Sequence, residues 1–264
     1  MIWVLQQPTA VVGSLIVVST VALAVLGLAA FRRSVSLKRL QRAKSVTTAT
    51  FTLVGVLYSL VAAFALNSVW ASYRSAEAAV ENEASAIRDM LYESEALPPA
   101  TGALLQKELL DYVNNVIGDE FDRIRNGVSI ERGSVLHLRL RRTLYSSEPT
   151  TRSQIGAYEE AVRTLEDLSS SRSARIASGA SALTVDLWVL LVGGAVICVV
   201  FTYMLVTEDF VIHAVVVGLS AALMAFVLYL ILTLDRPFVG SLSVSTTPYQ
   251  NVIDSWTRTS ATPR

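Results

Sequence analysis

Four stretches of the chain carry no charge and are long enough to cross a bilayer: Val11 to Phe31, Thr48 to Trp70, Leu187 to Val206 and Phe210 to Leu234. At about 1.5 Å per residue, some 20 helical residues cover the roughly 30 Å of hydrocarbon in a membrane. The second stretch ends in Asn67, Ser68, Trp70, Ser72 and Tyr73, an aromatic and polar cluster suited to a headgroup boundary. The third is entered through Asp186 and Trp188 and left at Glu208 and Asp209; the fourth carries His213 near its start and closes at Asp235-Arg236-Pro237. The two-acid connection predicts a tight helical hairpin. The pattern therefore predicts an all-α integral membrane protein with four transmembrane helices in two pairs and a helical soluble insert between helices 2 and 3.

The insert, residues 73–180, holds 13 basic and 17 acidic side chains, too many to span a membrane, but apolar positions recur through it with helical spacing. Ala76, Val80, Ala84, Ile87 and Leu91 form one face of a helix that continues the second span, projecting about 38 Å beyond Trp70 if unbroken. Pro98-Pro99 stops it, because proline lacks an amide donor and disfavours helix in the residue before it. A second helix starts near Thr101, with Leu105, Leu109, Tyr112, Val116 and Ile124 as its stripe and Gly127 at its end. Leu136, Leu140 and Leu144 mark a third, broken by Ser146-Ser147-Glu148-Pro149, and Ile155, Tyr158, Val162, Leu165 and Leu168 a fourth. Ser169-Ser170-Ser171 predicts a local loosening of that last helix. Four amphipathic segments imply a helical bundle standing in water. The expected divisions are thus 1–72 with a basic loop at 32–47, 73–180, 181–236 and a C-terminal tail at 237–264.

Composition agrees with a membrane chain, 52% hydrophobic and 17% charged. The 22 basic and 22 acidic residues cancel, which hides a local imbalance: Arg32, Arg33, Lys38, Arg39, Arg42 and Lys44 share one short stretch with no acid. Short cytoplasmic loops retain lysine and arginine, so this loop is predicted inside, and the N-terminus, insert and C-terminus outside. A secretory signal peptide carries its positive charges before the apolar core, whereas here they follow it, so the first stretch reads as a retained anchor. The single cysteine, Cys198, lies in an apolar run and reads as a packing residue.

Candidate chemistry is sparse. His137 and His213 have no second histidine or cysteine at metal-ligand spacing, and no glycine loop suits a phosphate. No catalytic residue, cofactor, metal or nucleic-acid partner is expected, and the chain does not read as an enzyme. Gly193-Gly194 suits close helix packing, as does the weaker set Gly218, Ala222 and Ala225. The acid pairs Asp119-Glu120 and Glu159-Glu160 are expected on a solvated helix surface. In the second span, Thr48, Thr52, Gly55, Ser59, Ala63 and Asn67 recur at three- or four-residue spacing opposite Leu53, Leu57 and Leu60. Such a small and polar stripe either packs against another helix or lines a water-accessible pathway in an oligomer.

The chain resembles the bacterial bestrophin-like membrane family labelled domain of unknown function 4239. The residues that carry the resemblance are Gly55-Val56-Leu57-Tyr58 followed by Phe64, Trp70 and Tyr73; Glu83-Ala84; Glu120-Phe121; Arg172 and Arg175 before Trp188; and Leu234-Asp235-Arg236-Pro237-Phe238-Val239-Gly240. Phe121 stands where the family more often has tryptophan. The resemblance implies two helix pairs around a soluble insert, with a name that points to anion channels; known bestrophins keep the large soluble part in the cytoplasm, opposite to the side the local charges assign. Arg172, Arg175, Asp235, Arg236, Pro237, Phe238 and Gly240 then read either as an anchoring turn and its neighbours or as a pore mouth. Two functions follow as expectations: an oligomeric, channel-like ion-transport protein in the lipid bilayer, or a membrane-anchored sensor or scaffold whose outer bundle binds a protein partner.

Overall fold

The computed structural model describes residues 9–35, 37–126, 131–180, 182–205, 207–240 and 242–261. Among these the elements are helical throughout: α1 (Thr9–Ser34), α2 (Leu37–Glu93), a 3-10 turn at Ser94–Ala96, α3 (Pro99–Asn115), a π turn at Val116–Glu120, α4 (Phe121–Asn126), α5 (Glu131–Tyr145), α6 (Arg152–Ala177), α7 (Val185–Tyr203), α8 (Phe210–Leu234) and α9 (Thr247–Ala261). Among the described residues, four helices are long and apolar enough to cross a membrane. The chain divides into two compact units, residues 1–71 with 181–242, and residues 72–180 with 243–264.

In the membrane unit α1 packs chiefly on α8, so the first span lies against the fourth. Ala24 and Leu28 of α1 meet Val217 and Ala221 of α8 in a buried cluster. Glycines permit the closest approaches: a Cβ on Gly13 would stand 2.8 Å from the Tyr229 ring, and one on Gly27 2.7 Å from the Tyr203 hydroxyl. The expected glycine pair divides its roles, because a Cβ on Gly194 would meet the Tyr58 ring at 2.6 Å whereas Gly193 has open space. The predicted basic loop at 32–47 is mostly helix: α1 runs to Ser34 and α2 resumes at Leu37. The side chains of Lys38, Arg39 and Arg42 fall outside the described residues. The third span stops at Tyr203 rather than Val206. The tight hairpin that follows is closed by Asp209, which accepts from the amides of Val211 at 2.7 Å and Ile212 at 3.3 Å, capping orphan donors at the start of α8. Arg32 donates to the Thr207 carbonyl and lies over the Phe210 ring, and His213 Nε2 meets the Thr202 carbonyl at 2.9 Å.

In the second unit, the predicted stripes form the core. Ala76, Val80, Ile87 and Leu91 of α2, Leu105, Leu109 and Tyr112 of α3, and Leu140 and Leu144 of α5 are buried. Pro98-Pro99 acts as expected, with Pro99 in the first helical turn of α3, where its missing amide costs nothing. α6 starts on a capping box: Thr151 accepts from the Gln154 amide, and the Gln154 side chain accepts from the Thr151 amide. Ile155, expected in the stripe, is exposed, and the predicted end of the second helix at Gly127 falls outside the described residues. Two other expectations are corrected. Ser169-Ser170-Ser171 does not loosen α6, which is unbroken from Arg152 to Ala177; Ser169 Oγ donates to the Leu165 carbonyl at 2.7 Å within the helix. The segment 237–264, expected as one C-terminal tail, divides between the units: residues 243–264, with α9, group with this unit, where Tyr249 and Val252 are buried and Trp256 is edge-on to Tyr92.

Candidate functional site

The second span buries Tyr58, Ala62, Ala65 and Val69, half-buries Phe51, Val54, Gly55, Val61 and Leu66, and exposes its other residues from Thr48 to Trp70. The predicted stripe lies on the uncovered part. Thr48, Thr52, Ser59, Ala63 and Asn67 are exposed, Gly55 is half-buried, and a Cβ on Gly55 would meet nothing within 4 Å. Leu53, Leu57, Leu60 and Phe64, which point away from the stripe, are exposed as well. The close packing that small residues permit is therefore not made within one protomer. Two hydroxyls are satisfied by their own helix, Thr52 donating to the Thr48 carbonyl at 3.0 Å and Ser59 to the Val56 carbonyl at 2.8 Å; each keeps acceptor lone pairs on the exposed surface.

The turn after the fourth span is inward-facing. Asp235 is buried and accepts from the Leu183 amide at 2.9 Å, and Pro237, Phe238 and Val239 are buried while Arg236 is half-buried. Gly240 closes the turn at φ 92°, a conformation that side chains with a Cβ rarely adopt. This segment belongs to the membrane unit, whereas Arg172 and Arg175, grouped with it as a candidate pore mouth, belong to the second unit.

There the two arginines of α6 meet two glutamates in the core. Glu83, Glu120 and Arg175 side chains are all 0% exposed. Arg175 holds Glu83 with two bonds, Nε to Oε2 at 2.6 Å and Nη2 to Oε1 at 3.0 Å, and Nη2 also reaches Glu120 Oε2 at 2.6 Å. Arg172 Nη2 lies 3.1 Å from Glu120 Oε1, and Tyr112 donates its hydroxyl to Glu83 Oε1 at 2.5 Å. Aromatic faces complete the shell, with Tyr112 beneath Arg172 and Phe121 beneath Arg175, the latter ring edge-on to Tyr249. Glu120 thereby departs from the expected solvated surface, while Glu159 and Glu160 occupy theirs. The π turn at Val116–Glu120 inserts a residue that rotates Glu120 onto the inner face. Burial works to lower the Arg175 pKa, but the charge and hydrogen bond of Glu83 together with Tyr249 and Tyr112 outweigh it and hold the guanidinium charged well beyond its ordinary range. Burial, reinforced by Glu83, pushes the Tyr112 phenol well up, so it stays a neutral donor. Two arginines and two glutamates thus meet in one buried network that ties α2, the π turn and α6 together.

His137 flanks this network, its Nε2 2.8 Å from Ser169 Oγ. Burial, then the charges of Arg172 and Arg141, lower its pKa from the ordinary 6.5, against a smaller opposing pull from Glu83. A histidine held neutral in the fold favours folding at pH above its unfolded value, and that contribution is lost as pH falls below about 6.5. Thermal stability of the full chain in detergent is therefore expected to decline from pH 7 to pH 5.5, and His137→Gln to flatten that slope; an unchanged slope in the variant would assign the decline to other groups.

The family model described as Bestrophin-like domain matches residues 18–249. Crystal structures of two variants of a bacterial bestrophin homologue from Klebsiella pneumoniae are similar. One has a TM-score of 0.71 at 12% identity, covering 90% of this chain and 98% of that chain; the other has a TM-score of 0.69 at 12% identity, covering 90% and 99%. A crystal structure described as that of a membrane protein matches with a TM-score of 0.68 at 12% identity, over 90% of this chain and 97% of that one. No protein of curated function matches the sequence.

Proposed function

The chain belongs to the bestrophin-like family, and from that premise we propose that it assembles as a homo-oligomeric, channel-like protein whose second span lines a shared pathway for a small ion. The observation that carries this reading is the stripe Thr48, Thr52, Gly55, Ser59, Ala63 and Asn67, which lies uncovered in the protomer next to the helix face that packs. Copies related by rotation about an axis parallel to the span bring identical stripes together. Hydroxyl and amide oxygens then offer a partly dehydrated ion a row of weak acceptors, and the absence of charge keeps any one position from trapping it. The exposed leucines away from the stripe suit lipid or the neighbouring copy.

Orientation follows from the short basic connection. Arg32, Arg33 and Lys44 stay on the cytoplasmic side, which puts the insert outside. In a Cys198→Ala background, Glu148→Cys is expected to label from outside with a membrane-impermeant reagent and Ser45→Cys only after permeabilisation; the reverse pattern overturns the orientation.

Reconstituted full-length protein is expected to pass a small ion across vesicles, and Ser59→Cys, in the same background, to lose most of that flux on treatment with a charged thiol reagent. Leu57→Cys, which points away from the stripe, should be insensitive. Equal insensitivity of the two variants, with flux intact, would move the pathway elsewhere; flux absent under all ionic conditions from a folded oligomer would end the channel reading.

A further inference from the structure

Two surfaces of the second unit are complementary to one another and lie on different helices. The first is the outer face of α5. Its inner side, with Leu140 and Leu144 buried, packs on α3 and α6. The outer side has no partner in the protomer: Val135, Leu138 and Tyr145 are 49%, 51% and 46% exposed, and helical spacing puts Arg142 among them. From Gly133 to Tyr145 the helix carries no acid. Arg139 borders a hollow with Asp111 and Asp119 of α3, and Arg141 lies over the Tyr145 ring. Arg142 is exposed and makes no ion pair among the described residues. Tyrosine and arginine around apolar side chains are the composition that interface cores favour.

The second surface has the opposite charge. A groove of about 560 Å³ runs between α2 and α6, with the buried Ala86 and Thr164 in its lining, the acids Asp89, Glu93, Glu160 and Asp167 around it, and no basic residue among the lining side chains. Arg163 stands 2.6 Å from Glu160 and Arg88 3.7 Å from Asp89, exposed pairs that contribute little. Asp167 makes no ion pair among the described residues. Glu93 accepts from Thr164 at 2.9 Å on one oxygen, and its other oxygen is buried with no partner. Burial, against that hydrogen bond, pushes the Glu93 carboxyl above its ordinary value, and Glu160 and Asp89 push it the same way. The groove is short of a cation. It follows α2 from Asn82 to Glu93, about 16 Å of helix, and the α5 face from Val135 to Tyr145 covers about 15 Å. Because Leu140 and Leu144 hold α5 in its own bundle, the face can reach only the groove of another copy.

We propose that the outer face of α5 of one copy docks along the α2–α6 groove of the next, with Arg142 set among the four carboxylates and Leu138 and Tyr145 against the rim. This rests on the homo-oligomer reading and not on the ion pathway. Face and groove are different surfaces, so the contact is heterologous, and copies related by rotation about one axis close a ring.

The test uses the full-length Cys198→Ala chain in mild detergent. With Leu138→Cys and Ser85→Cys together, a short bismaleimide is expected to give a ladder of dimers and larger species on a denaturing gel. Either cysteine alone should give none, and neither should Leu138→Cys with Leu104→Cys, which is exposed on α3 outside the groove. Adding Arg142→Glu should weaken the ladder about tenfold, since like charges then face each other, and adding Asp89→Arg with Asp167→Arg to that chain should restore at least half of it. All three positions are exposed, so folding is not at stake. An oligomer by native mass that gives no ladder, gives one with Leu138→Cys alone or with the Leu104→Cys pair, ignores Arg142→Glu, or is not restored by the reversed acids overturns this contact and leaves the homo-oligomer standing. A monomer by native mass overturns both.

Discussion

Replacing Arg175 with methionine is expected to destabilise the protein by about 3–5 kcal/mol, the usual consequence of removing one partner from a buried ion pair. The side chain is fully buried and binds Glu83 twice and Glu120 once, so its loss leaves the buried Glu83 side chain without its guanidinium partner, while the Tyr112 hydroxyl still donates to it. Arg172 continues to neutralise Glu120. That asymmetry makes the effect diagnostic. In the double variant Glu83→Gln with Arg175→Met, the remaining pair Arg172–Glu120 is charge-balanced, and more than half of the lost stability should return. Arg175→Lys should not rescue, because an ammonium cannot reproduce the forked geometry that reaches two carboxylates at once. Thermal unfolding of the full chain in detergent, followed by tryptophan fluorescence and by protease resistance of the 72–180 region, measures all three. If Arg175→Met and Glu83→Gln proved independently additive, the described pairing would be wrong.

Gly133→Ala is expected to be nearly as damaging, although it adds one methyl group. A Cβ at this position would overlap Glu120 Oε1, stand 2.5 Å from its Cδ and 3.0 Å from Arg172 Nη2. Elsewhere the tip of a glutamate moves aside at small cost. Here the carboxylate is pinned between two arginines, and moving it breaks contacts with both, so the overpacking cost of about 1–3 kcal/mol is compounded by part of the ion-pair loss. Gly156→Ala is the control: it sits in α6, a Cβ there meets nothing within 4 Å, and the change should stabilise the helix by a few tenths to ~1 kcal/mol. Melting temperatures that rise equally for both variants would show that helix propensity alone acts at Gly133 and that Glu120 makes no demand on it.

These two substitutions also mark where reading the sequence stopped. Glu83, Glu120, Arg172 and Arg175 all lie among the residues that carry the family resemblance, but they are separated by as many as 92 positions, and no local pattern indicates which acid meets which base. Glu120 follows Asp119 in an apparently solvated pair and becomes buried through the π turn, whose extra residue shifts the face that helical spacing assigns. Gly133 carried no signal at all, because the requirement for a missing Cβ arises from a carboxylate on another helix. The second-span stripe was legible as a stripe, since its 3.6-residue period is local; its exposure was not, because that depends on which face Tyr58 and Gly194 commit to packing. The burial of Tyr249 in the segment after the fourth span is illegible for a similar reason: it depends on Phe121, distant in sequence, whose ring stands edge-on to it.

The four spans, the helical insert, the proline break at Pro98-Pro99 and the hairpin at Glu208-Asp209 were determined by the sequence alone. They follow from how single residues partition between oil and water and from backbone rules that act over one or two helical turns. The pairing of the first span with the fourth, the four-charge core and the place of α9 were decided only by the tertiary structure. Each is a relation between surfaces distant along the chain, where the energy lies in complementarity of shape and charge that neither partner encodes by itself.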